Sequence, residues 1–159
     1  AAHRLPPYNA TRFLNFKTLA DTTWANWARH RAAVFLPYDP QQMVFYELYS
    51  MGLPLLVPDA GLLPYLTRLG YTNLRDFAYA RAGWERPAGE LPYAWSEDAE
   101  IWELRWWSEL TDFVRQPHVL RWGSVPELLD KLFHSDLAEV SAQMRRQTDV
   151  RLVATADFW

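Results

Sequence analysis

Residues 32–58, AAVFLPYDPQQMVFYELYSMGLPLLVP, leave this chain few architectures. Two short apolar runs without alternation, Ala33 to Leu36 and Leu55 to Val57, have the pattern of strands covered on both faces. Between them the residues predict a helix. Asp39 is placed to cap it, Pro40 suits its first position, and Gln42 stands three residues past the cap, at capping-box spacing. Gly52 should end the helix, and Pro54 prevents its resumption. A unit this compact joins parallel strands. The expected fold class is therefore α/β, a Rossmann-like parallel sheet with flanking helices.

Within that helix Glu47 is out of place, flanked by Met43, Val44, Phe45, Tyr46, Leu48, Tyr49 and Met51. A helix that is apolar nearly all round is expected to be covered, and a lone carboxylate is costly to bury. Glu47 then lies on a single exposed line, is buried against a neighbouring hydroxyl, or faces a polyhydroxyl ligand at the sheet edge. The pattern leaves all three open.

The rest of the chain bounds the function. Its 159 residues suit one domain, and half of them are hydrophobic, enough for a sizeable core. Nine tryptophans imply large packed surfaces or an interface. A net charge of -3 without a Lys/Arg cluster argues against a nucleic-acid partner. There is no cysteine, which excludes disulfides and thiolate metal sites. The four histidines lack ligand spacing, so no metal is expected. No apolar run reaches transmembrane length. The N-terminus lacks an initiator Met and a signal core, which reads as a cut end or the tail of a preceding linker, with residues or domains upstream missing. Nothing indicates the compartment.

Along the chain, residues 11–16 read as a short strand or helical entry, and 17–30 as a helix with Leu19, Thr23 and Trp27 inward. A helix is expected over 60–69 after a cap at Asp59, with Leu62, Leu63, Leu66 and Leu69 on its apolar side. Residues 70–96, rich in Gly, Pro and Trp, read as an irregular excursion. C-terminal helices follow over about 97–154. The first covers 97–116, with Ile101, Leu104, Trp107 or Ser108, Thr111 and Val114 inward. A short strand is expected from His118 to Trp122, and Ser124 with Glu127 forms a second capping box. The last helix spans 136–154, with Leu137, Val140, Met144 and Val150 on one side. Asp98, Glu100, Glu103 and Glu109 read as a solvated helix face, and Trp102, Trp106 and Trp107 as core or interface.

Ligands of parallel sheets gather outside the strands' C-terminal ends. Here those loops contain Pro37 to Pro40 and Pro58 to Gly61. A helix starting at Pro40 would aim free N–H groups at the same region, which suits an anion. Tyr38, Gln41 and Gln42 would add hydrogen bonds or stacking. A carboxylate accepting from two vicinal hydroxyls is a common way to hold a ribose, and Glu47 is the candidate.

The run from Tyr38 through Asp59 resembles the donor-binding segment of GT-B-fold glycosyltransferases. Their retaining branch carries a Glu, seven residues, a second Glu, then a small-residue turn and Gly-x-Pro before an apolar strand. Glu47, Leu48, Tyr49, Ser50, Met51, Gly52, Leu53 and Pro54 match the second part. Asp39 stands at the first Glu position, a carboxylate of shorter reach. Trp122-Gly-Ser124 followed by Pro-Glu-Leu-Leu resembles the closing strand and capped helix of the same domain. The likeness is specific over about 22 residues. It implies the C-terminal part of a GT-B donor domain. Glu47 would hold the ribose of a nucleotide sugar, Tyr38, Asp39, Gln41 and Gln42 would lie near its sugar or phosphates, and no separate cofactor is implied. An acceptor would come from a missing N-terminal domain or partner chain. The alternative is a non-catalytic relative acting as a structural or interaction subunit.

Overall fold

The computed structural model describes residues 11–37, 42–70 and 101–158. Three strands, β1 (Ala33–Val34), β2 (Leu55–Pro58) and β3 (Leu120–Trp122), form one sheet in the order β1-β2-β3, both pairings parallel. Ala33 lies opposite Leu55, and Leu56 lies opposite Leu120. Helix α1 (Trp24–Trp27) precedes the sheet, and α2 (Met43–Ser50) connects β1 to β2. Among the described residues, α3 (Leu63–Gly70), α4 (Ile101–Leu110) and α5 (Asp112–Arg115) lie between β2 and β3. Helices α6 (Val125–His134) and α7 (Leu137–Phe158) follow.

Both faces of the sheet are covered, as the unalternating strands predict. Side chains alternate across a strand, so Ala33, Phe35, Leu55, Val57 and Val119 share one core with Trp27, the α2 residues Phe45, Leu48 and Tyr49, Phe113 of α5 and Met144 of α7. Val34, Leu56, Leu120 and Trp122 face the other way, onto Leu62 and Leu66, Leu128 and Leu132 of α6, and Leu137. This is a small Rossmann-like α/β arrangement, a parallel sheet between helix layers.

The end of α2 follows its sequence closely. Gly52 adopts φ 69 and donates to Tyr49 O at 2.9 Å, and Leu53 donates to Leu48 O at 3.1 Å. Those two bonds make a Schellman stop, with Leu48 and Leu53 both buried in the first core. The start of α2 differs from expectation. Gln42 is the N-cap, extended at φ -112, ψ 106, and its side chain makes no capping bond. The helix thus opens at Met43, not at Pro40, and Gln42 is outside it. Asp39 and Pro40, the expected cap and first position, lie outside the described residues.

Other elements are shorter than their patterns. The expected helix over 17–30 is a 3-10 turn (Phe16–Thr18) and the single turn α1. Asp21 accepts from Thr23 N, its carbonyl accepts from Asn26 Nδ2, and Thr23 Oγ1 accepts from Asn26 N. Short polar side chains thereby take bonds a longer helix would need. Residues 11–16 contribute no strand. The helix expected over 97–116 is described from Ile101 and breaks at Thr111, which is extended and bonds its hydroxyl back to Ser108 O at 2.6 Å. Phe113, beyond the break, is buried in the first core, and Val114 packs against it. Leu69 and Val150, both expected inward, are 86% and 63% exposed. Helix α3 begins only at Leu63, because Asp59 first closes a turn with Gly61 N and Leu62 N at 2.9 and 2.8 Å. The excursion over 70–96 lies almost wholly outside the described residues.

Candidate functional site

Helix α2 returns antiparallel to the strands it connects, so its start lies at their C-terminal edge. Glu47 sits a little over one turn past the N-cap. The helix is not covered all round. Phe45, Leu48 and Tyr49 are buried, while Met43, Tyr46 and Ser50 form an exposed line, with Met43 79% exposed. Glu47 is half-buried beside that line. Its carboxylate has no hydrogen bond or ion pair with a described residue, while its backbone carbonyl accepts from Met51 N at 3.1 Å. Of the five sequence-predicted site residues, Gln42 and Glu47 are described, and Gln42 is buried at the head of the same helix. Tyr38, Asp39 and Gln41 lie outside the described residues.

Next to Glu47, the Tyr46 hydroxyl donates to Asp112 Oδ2, joining α2 to the start of α5. Loss of water around the hydroxyl and the bond to Asp112 push this phenol up to about 12. The residue is 41% exposed overall, but its titrating end is the part held against Asp112. Tyr49 donates to Pro117 O at 3.0 Å, and burial raises its phenol as well.

Farther along the same edge, sequence reasoning missed a second constellation. Gly123 follows β3 directly, and a Cβ there would stand 2.6 Å from Asp59 Oδ2. A side chain at this position would force the Asp59 carboxylate to shift. Glu127 Oε2 accepts from Gly123 N at 2.8 Å, and Oε1 pairs with Lys131 Nζ at 2.6 Å. The bond from Lys131, then that from the Gly123 N–H, holds the Glu127 carboxyl below the ordinary range. Lys131 also donates to Arg121 O. The turns after β2 and β3 therefore spend N–H groups on the protein's own Asp59 and Glu127. An anion from solution meets carboxylates there. The readable signal was a glycine between a strand and a capping box.

A cleft of about 500 Å³ lies at the opposite, N-terminal edge of the sheet, and Glu47 does not line it. No grouping of three or more His, Cys, Asp or Glu suited to a metal occurs among the described residues. Nor is any described helix long and apolar enough to cross a membrane. No known protein family, curated protein or solved structure matches the chain.

Proposed function

We propose that the chain is the donor-binding portion of a nucleotide-sugar-dependent glycosyltransferase. In this reading Glu47 accepts hydrogen bonds from the donor's ribose hydroxyls. The 38–42 turn lies beside its phosphates or sugar, and an acceptor domain or partner chain completes the cleft. The observation that carries the reading is Glu47, a half-buried residue on the helix between two parallel strands whose carboxylate has no partner among the described residues. Its oxygens reach solvent and are free to accept hydrogen bonds from a ligand. Two vicinal hydroxyls would supply the donors. The run from Glu47 to Pro54 supports the same reading, because its helix stop and following strand form as the resemblance implies.

The catalytic contribution of such a portion is placement of the donor and stabilisation of the departing diphosphate. A second reading, a non-catalytic interaction subunit, draws support from the exposed Met43 on α2 and the exposed Val150, Leu152, Val153 and Phe158 on α7.

Calorimetric or NMR titration with UDP, GDP and their sugars tests the proposal. Saturable binding is expected, and Glu47→Gln should weaken it by about tenfold or more while the melting temperature holds. Binding of none of these ligands, or equal binding by a folded Glu47→Gln variant, overturns the donor reading in favour of the second.

A further inference from the structure

The cleft at the N-terminal edge is built from three separate parts of the chain. His30 and Arg31 enter from the segment before β1, Gly52 from the turn between α2 and β2, and Asp136, Ser141 and Arg145 from the start of α7. Two arginines, Arg31 and Arg145, thus line one opening. Neither makes an ion pair or hydrogen bond with a described residue. Like charges sharing a cleft repel, and an anion between them would relieve that repulsion.

The Arg145 side chain lies across the backbone of Gly52. A Cβ on Gly52 would lie 2.6 Å from both its Cγ and its Nε, so the side chain rests directly on the turn that follows α2. That contact is possible because residue 52 has no side chain. The approach brings the Arg145 side chain to the wall of the cleft that Gly52 also lines. The acidic lining residue, Asp136, is turned partly to its own helix, where Oδ1 accepts from Glu139 N at 3.0 Å.

We propose that this cleft binds a small molecule bearing one oxyanion, a phosphate or a carboxylate, gripped by Arg31 and Arg145. The guanidinium fork matches a planar or tetrahedral oxyanion with paired hydrogen bonds. A bare ion would leave much of the 500 Å³ empty, a volume suited to a small organic molecule. Ser141 and Asp136 also line the cleft, which favours a ligand with hydroxyl donors. Asp136 also opposes a dense polyanion. The site stands apart from Glu47 and does not depend on the donor reading.

Amide NMR titration of the full chain with inorganic phosphate, then with glycerol phosphate, tests this. Saturable shifts are expected around Arg31, Gly52 and the start of α7, with midpoints on the order of millimolar and the glycerol ester binding more tightly. Arg31→Gln should weaken both about tenfold. Its melting temperature should hold, since Arg31 is exposed and unpartnered among the described residues. Arg145→Gln should act in the same direction, and the Arg31 variant decides the matter if Arg145→Gln does not fold. Shifts that never saturate, that spread over all basic residues, or that persist unchanged in Arg31→Gln overturn the site. Co-sedimentation with phosphatidylcholine vesicles containing phosphatidic acid separates headgroups from free ligands. Vesicle binding without saturable phosphate shifts overturns the small-molecule assignment.

Discussion

Tyr46 ties together two elements that the chain brings from far apart, and it does so through a single hydroxyl on Asp112. Its phenol, raised to about 12, makes that link sensitive to alkali. The folded state then binds a proton that the unfolded chain releases near 10, so stability falls as pH rises between these values. The contribution is fully present below about 10 and lost through about 12. Urea midpoints of the native chain and Tyr46→Phe should accordingly differ at neutral pH, with the native chain more stable, and converge as pH climbs above about 10. A constant gap across that range contradicts the assigned link. At the same scale, Glu47 illustrates what an alternating or periodic pattern conveys. The sequence marks it as anomalous, but only coordinates place it beside the exposed line formed by Met43, Tyr46 and Ser50.

Among the elements, α6 is the clearest case of local encoding. Ser124 Oγ accepts from Glu127 N at 3.4 Å, Pro126 stands in the first turn, and Lys131 and His134 lie in the last, favourable against the helix dipole. The capping bond is long, which puts Ser124→Ala at the low end of cap removal. A loss of about 0.5–1 kcal/mol is expected in urea denaturation. A loss well above that means Ser124 supports more than its own helix. The capping box departs from the usual form in one respect. The Glu127 side chain reaches back to Gly123 N, one residue before the cap, and so fastens α6 to the end of β3. By contrast, the long pattern over 17–30 dissolves into short turns because Asp21 and Thr23 satisfy backbone groups locally.

For the whole molecule, α7 divides into two halves with different duties. Leu137 and Met144 are buried, Val140 is half-buried, and the helix packs along α2. From residue 149 to 158 every position is exposed. Met144→Ala should therefore cost about 2–5 kcal/mol of unfolding free energy. Val153→Ala on the same helix should stay within about 0.5 kcal/mol. Equal losses at the two sites in chemical denaturation would mean that a partner covers the distal half in solution.

Local chemistry was enough to locate β1, α2, β2 and α6, because their signals are short-range. Unalternating apolar runs, a glycine able to adopt φ 69, a proline that cannot extend a helix and a serine–glutamate cap each act within a few residues. The start of α2, the break at Thr111 and the outward turn of Leu69 and Val150 could not be read that way. They follow from which surfaces meet once the sheet is closed in by helices. The apposition of Gly123 with Asp59, and of Gly52 with Arg145, is likewise a long-range outcome. A residue's sequence neighbours do not specify the partner that packing brings against it.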